Sequence, residues 1–225
     1  MTRASVDIFD VEQVSEDWFA LRRGIPTASK FNAIMADGRG VEPSETRKKY
    51  MLNLAGEILT GITAEDFQNE YMKRGKRMEP LALDWYERTH FADLQRVGFV
   101  RRTIVQAFAD EFFVGGSPDA YWSEQKRVIE VKTMMPRLII PIAKKGTAAF
   151  PAEHWAQCQG YMWIMGADTC DLVIFYEGWR APPKFTIERD ENYIDRLSSQ
   201  VQVFVHELRA LVNEIRSRDK AWGAL

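Results

Sequence analysis

Apolar residues recur at helical spacing near the end of the chain, at Ile194, Leu197, Val201, Phe204, Leu208, Leu211 and Ile215, so Asn192 to Arg216 is expected to form an amphipathic helix packed on a core. The first ninety residues carry the same signal in shorter pieces. Ser15 can cap a helix holding Trp18 and Leu21, and Thr27 can cap one holding Phe31 and Ile34, with Gly24-Ile25-Pro26 turning between them. A loop rich in Gly and Pro, Asp37 to Pro43, leads to a helix from about Ser44 to Leu59 that Gly61 would end. A further helix is expected from Asn69 to His90.

Beyond residue 92 the pattern changes. β-branched and aromatic runs at Leu94 to Val100, Thr103 to Phe108, Phe112 to Val114 and Val128 to Val131 read as a mostly antiparallel meander. A helix at about Ala152 to Met165, a strand at Asp171 to Tyr176 and a short strand at Lys184 to Glu188 follow. This order of elements predicts an α/β (α+β) fold in a single domain over 1–225, with 1–92 mainly helical, 93–190 the sheet core and 191–225 a C-terminal helix.

With 46% hydrophobic and 28% charged residues in 225, the chain has the balance of a globular protein with a sizeable core. The start lacks a secretory signal and no apolar run reaches the roughly 18 residues of a membrane helix, so a cytoplasmic protein is expected. Cys158 and Cys170 imply no disulfide framework, and His90, His154 and His206 are too scattered for zinc-ligand spacing. A net charge of -2 does not advertise a nucleic-acid partner. Basic residues nevertheless cluster locally, at Arg22-Arg23, Lys73-Arg74, Lys76-Arg77, Arg101-Arg102, Lys126-Arg127 and Lys144-Lys145, and local fields steer ligands more than net charge does.

The candidate chemistry lies at Ser117-Pro118-Asp119 and Glu130-Val131-Lys132. Strand alternation sends Ile129 and Val131 to the core and Glu130 and Lys132 to the other face, a charge pair at the edge of a hydrophobic sheet. With Gly115-Gly116 read as a turn, a hairpin partner could bring Asp119 beside Glu130. Two adjacent carboxylates repel unless a cation lies between them, which points to a hard divalent ion, Mg²⁺ with Mn²⁺ as its substitute. The Val131 carbonyl would be a third oxygen ligand, and Lys132 would orient or help activate a water. Gln157 and Gln159, two apart on one helix, cannot share a face, and Trp155, Tyr161 and Trp163 read as core or subunit contacts.

Six motifs in order, Trp18-x-x-Leu21-Arg22-x-Gly24, Thr27-Ala28-Ser29, Gly75-Lys76-x-x-Glu79, Ser117-Pro118-Asp119, Glu130-x-Lys132 and Ala156-Gln157-x-Gln159, resemble the phage lambda exonuclease family, the YqaJ-type viral recombinases. The resemblance implies a restriction-endonuclease-like PD-(D/E)XK core, with a central mixed sheet flanked by helices. It implies Asp119, Glu130 and Val131 as metal ligands, Lys132 beside the nucleophilic water, Glu79 as a further active-site acid, and Arg22, Ser29 and Gln157 as the 5′-phosphate site. It further implies a Mg²⁺-dependent 5′-to-3′ exonuclease on linear double-stranded DNA, releasing mononucleotides and leaving 3′ overhangs. Such enzymes act as a homotrimer ring with a single-strand annealing protein, in phage-type recombination inside a bacterial host. The segment Pro136 to Pro151 departs from the family in length and residue identity. An endonuclease on the same core and a non-catalytic DNA-end-binding scaffold are the alternative readings. Two cysteines argue against an iron-sulfur nuclease, which would need four.

Overall fold

The computed structural model describes residues 5–38, 42–63, 70–105, 111–149 and 152–222. Residues 39–41 of the expected loop, Asn69 at the start of an expected helix, 106–108 at the end of an expected strand, and 150–151 lie outside them.

Two sheets form the centre. Strands β1 (Val6–Phe9), β3 (Phe99–Val105) and β4 (Glu111–Gly116) make a three-stranded antiparallel sheet in the order β1-β3-β4. The larger sheet has the order β2-β5-β6-β7-β8, from β2 (Gln95–Arg96), β5 (Ala120–Trp122), β6 (Arg127–Thr133), β7 (Thr169–Phe175) and β8 (Lys184–Glu188). It is mixed, because β6 and β7 run parallel while the other neighbours are antiparallel. Parallel neighbours need a crossover. Two helices, α5 (Pro136–Lys145) and α6 (Ala152–Met165), lie in this one.

The remaining helices are α1 (Glu16–Arg22), α2 (Phe31–Met35), α3 (Glu45–Thr60), α4 (Glu70–His90) and α7 (Glu191–Trp222). Ser15 caps α1 by accepting from the Trp18 N–H, Ser44 caps α3 through the Arg47 N–H, and Gly61 ends α3 in the left-handed conformation. The larger sheet is covered on both sides. Val128, Cys170, Leu172 and Ile174 lie in the main core on the α6 side, while Ile129, Val131 and Val173 meet Met78, Ala82, Leu83 and Tyr86 of α4 in a second one. The mixed α/β fold is therefore as expected. No helix among the described residues is long and apolar enough to cross a membrane.

Several local expectations change. β6 is the central strand of its sheet and not an edge, so Glu130 and Lys132 lie beneath α6 with the core on both faces. Gly115 and Gly116 are strand residues of β4 and not a turn. A Cβ at Gly116 would stand 2.7 Å from the Tyr161 ring, and one at Gly115 would overlap Phe99, so these glycines admit aromatic rings where the sequence suggested a bend. The run Leu94 to Val100 divides between β2 and β3, and β1 and β5 were not anticipated. Thr27 precedes a 3-10 turn, Ala28–Lys30, which leads into α2, and its side chain makes no cap bond. Within Pro136 to Pro151, helix α5 starts at Pro136, tolerates Pro141 and buries Ile139 and Ile142.

Candidate active site

The β5–β6 hairpin pairs Ala120 with Ile129, and one further step of the same antiparallel register sets Asp119 opposite Glu130. The hairpin that joins the two carboxylates is thus built by β5, a strand of the five-stranded sheet, and not by β4. Asp119 Oδ2 accepts the Val131 N–H at 2.6 Å, which fixes one carboxylate oxygen against the main chain of β6.

Glu130 is buried under α6 and uses its two oxygens unequally. Oε1 accepts from Lys132 Nζ at 2.7 Å and from Gln157 Nε2 at 2.9 Å. Oε2 is buried with no hydrogen-bond partner. The Gln157 carbonyl oxygen accepts from Lys132 Nζ at 3.0 Å, and its Nε2 also donates to the Tyr161 hydroxyl at 2.9 Å. Tyr161 in turn donates to the Ser117 carbonyl at 3.1 Å, tying α6 to the Ser117-Pro118-Asp119 segment. Both Gln157 amide hydrogens are engaged within the protein, so a phosphate contact through Gln157 requires giving one up. Gln159 faces the other way and bridges the Glu188 carbonyl and the Asp190 N–H, as two residues apart on a helix require.

Glu79 projects from α4 into a cleft of about 810 Å³ that also exposes Asp119, Val131 and Thr133. Desolvation, reinforced by the Glu130 charge, raises its pKa to about 7. Desolvation followed by repulsion from Glu130 and Glu79 raises Asp119 well above the ordinary carboxylate value. Burial also raises Glu130, against the pull of Lys132. Desolvation opposes the Lys132 ammonium, but the Glu130 and Asp119 charges outweigh it and its pKa is raised. The three acids therefore repel one another across the cleft, and Lys132 remains a cation. Lys73, Lys76, Arg77 and Arg96 ring the same cleft, although Lys76 pairs with Glu12 and Arg96 with Glu87.

Among the described residues no group of three or more His, Cys, Asp or Glu side chains is arranged as metal ligands. The donor set here is two carboxylates and a main-chain carbonyl, with an orphaned buried oxygen on Glu130. Oxygen ligands of that number suit Mg²⁺, which usually keeps several waters and takes only one or two carboxylates. The residues therefore fit a hard divalent cation.

Arg22 lies in a neighbouring pocket of about 250 Å³ with Lys30, Lys49, Asn53 and Glu57. Its guanidinium stacks on Trp18 at 4.2 Å, and the Trp18 indole N–H donates to Ser117 Oγ at 2.8 Å, so the pocket is linked to the acid site through one residue. Ser29 is exposed in the 3-10 turn, 3.5 Å from the Thr27 hydroxyl, and no hydrogen bond among the described residues joins it to Arg22 or Gln157. The structure thus places Asp119, Val131 and Glu79 in one cleft, joins Glu130, Lys132 and Gln157 by hydrogen bonds beneath α6 on the other face of β6, and has Arg22 in the second pocket. Tyr161 was missed because an aromatic on an apolar helix reads as core, which it also is. Its position four residues after Gln157, on the same helix face, was the available signal.

A YqaJ-like viral recombinase domain matches residues 17–168. No curated protein matches the sequence. Among solved structures, the alkaline exonuclease LHK-Exo from Laribacter hongkongensis is 26% identical, with a TM-score of 0.78, covering 92% of this chain and 100% of that one. The same protein in complex with dAMP gives 26% identity and a TM-score of 0.77, again over 92% and 100% of the two chains. A phage-related exonuclease from Haemophilus somnus 129PT shares the fold at 19% identity, with a TM-score of 0.63 over 88% of this chain and 99% of that one.

Proposed function

Because the chain belongs to the YqaJ-like viral recombinase family, we propose that it is a phage-type exonuclease that shortens linear double-stranded DNA from the 5′ end with Mg²⁺. The observation that carries this reading is the pairing of Asp119 with a buried Glu130 whose Oε2 has no partner, beside the Lys132 ammonium. The structural likeness to an alkaline exonuclease at 26% identity supports the same reaction class.

Asp119 and Glu130, with the Val131 carbonyl, would hold the metal. Mg²⁺, or Mn²⁺ in its place, when bound supplies positive charge against the phosphoryl oxygens and makes a water more acidic. Lys132, kept protonated by two carboxylates, is a donor and orients the attacking water. Glu79, facing the same cleft as Asp119, would be the further active-site acid. Gln157 and Tyr161 keep Glu130 and Lys132 in register. Lys73, Lys76 and Arg77 at the rim would neutralise backbone phosphates.

The second pocket supports the proposed direction. Arg22, stacked on Trp18 beside Lys30 and Lys49, offers a cationic end-site for a 5′-phosphate next to the acid cluster, with Ser29 at the neighbouring turn. The product would be mononucleotides and a 3′ overhang. A homotrimer ring and a single-strand annealing protein that takes the exposed strand complete the reading.

Strand-labelled duplexes with a 5′-phosphate or a 5′-hydroxyl, digested by wild type and Arg22→Ala, test it. Loss of the 5′-labelled strand first, with a preference for phosphate that Arg22→Ala abolishes, is the expected result. Shortening from the 3′ ends, or an unchanged phosphate preference in Arg22→Ala, contradicts the assignment.

A further inference from the structure

Trp18 makes two directed contacts, one with its ring face and one with its ring edge. The face carries the Arg22 guanidinium at 4.2 Å, as residues four apart on one helix allow. At the edge, the indole N–H donates to Ser117 Oγ at 2.8 Å. The Ser117 hydroxyl has a single proton, which goes to the Gly98 carbonyl at 2.7 Å, so its oxygen meets the indole as an acceptor and both bonds have a fixed direction. A phenylalanine would also stack with a guanidinium. What tryptophan adds at this edge is the donor.

Ser117 is tied equally on its other side. Its carbonyl accepts the Tyr161 hydroxyl at 3.1 Å, Tyr161 accepts from Gln157, and Gln157 contacts both Glu130 and Lys132. Pro118 follows directly, fixes its own φ and holds Ser117 to extended backbone, so little freedom separates Ser117 from Asp119. Asp119 is in turn fixed to β6 by the Val131 N–H. A continuous path thus runs from the guanidinium in the second pocket to the carboxylate in the cleft, by way of Trp18, Ser117 and Pro118.

Resting on the reading of Arg22 as the 5′-phosphate site, we propose that Trp18 is a positioning residue that couples end recognition to the acids. Through Ser117 it holds Arg22 at a set distance from Asp119, so a phosphate bound at the end brings the first phosphodiester into register for hydrolysis. The indole N–H therefore converts a bound 5′-phosphate into rate, whereas Arg22 itself supplies the affinity. A misplacement of about 1 Å costs on the order of a hundredfold in rate, and loss of one hydrogen bond in the path releases part of that.

Digestion of linear duplexes with a 5′-phosphate or a 5′-hydroxyl tests this, with kcat and KM measured separately for wild type, Trp18→Phe and Ser117→Ala. Trp18→Phe keeps a ring against Arg22 and removes the donor, while Ser117→Ala removes the acceptor and keeps the indole. Each should lower the kcat ratio of phosphate to hydroxyl ends about tenfold and change the KM ratio by less than about twofold, and the double variant should lose no more than either alone. Ser117→Thr, which keeps the hydroxyl, should retain the wild-type ratio. A residue that only supports the fold would slow both substrates alike and leave the ratio in place. A wild-type preference that lies wholly in KM, a kcat ratio that both single variants leave unchanged, or losses that multiply in the double variant overturn the proposal and leave the Arg22 reading standing. Wild type with no preference for a 5′-phosphate refutes the Arg22 reading itself, and the proposal with it.

Discussion

At the residue scale, Gln157 connects three groups of the site, donating to Glu130 and Tyr161 and accepting from Lys132. Replacing it with leucine removes a donor from both Glu130 and Tyr161, and leaves Lys132 hydrogen-bonded to Glu130 without its second acceptor. Gln157→Leu should therefore lower stability by about 1–3 kcal/mol, and lower kcat at least tenfold with little change in KM. A variant with wild-type kcat would show that Lys132 needs no such guide. Glu79 adds a pH signature. Its folded pKa of about 7 stands above the unfolded value of 4.5, so the fold holds a proton that the unfolded chain has lost, and stability falls as pH rises between those values. In EDTA, Glu79→Gln should match wild type below pH 4.5 and exceed it by about 1–2 kcal/mol above pH 7. Denaturation at both pH values checks this, and a difference independent of pH would contradict it. That Glu130 and Lys132 lie side by side was legible because they alternate with Val131 on one strand. The orphaned Glu130 oxygen was not, because it depends on α6 lying overhead.

At the scale of elements, the position of α6 is set by where it can approach the strands and the 3-10 turn. A Cβ on Gly160 would stand 2.6 Å from the Phe31 ring and 3.2 Å from Ala28, and Phe31 is fully buried with nowhere to move. Gly160→Ala should displace α6, at about 1–3 kcal/mol, and lower Tm by several degrees. Since α6 also carries Gln157 and Tyr161, activity should fall with it. Thermal melts beside initial rates test the link, and an unchanged Tm would mean that the helix has slack. Helix α1 was legible from its capping Ser15, α3 from the Gly/Pro-rich loop before it and Gly61 after it, α6 and α7 from their apolar residues, and β8 from the prolines that precede it. The short strands β1 and β5 were not, since three or four residues carry little periodic signal and their pairing is decided by distant partners. Gly115-Gly116 misled for a related reason: glycine marks a turn and a close aromatic contact alike. Asp119 still meets β6, because it directly precedes β5 and β5 pairs with β6.

For the whole molecule, a net charge of -2 conceals a cleft ringed by Lys73, Lys76, Arg77 and Arg96. With so few cations, an enclosing ring is a physically reasonable way to retain DNA, and light scattering should give three times the chain mass of 26.0 kDa. A monomeric mass would remove the ring. The family was legible from six spaced motifs, whereas an assembly interface has no comparable local pattern in one chain. Asp119 and Glu130 are proposed to support hydrolysis of DNA from its ends. This is tested most directly by nucleotide release from linear and closed circular duplex in Mg²⁺ or EDTA, with wild type beside Asp119→Ala. Release from linear DNA alone, only in Mg²⁺ and at least a hundredfold slower in Asp119→Ala, is the predicted result. Cleavage of the closed circle would mean an endonuclease, and binding of linear DNA without any release would contradict catalysis at this cleft.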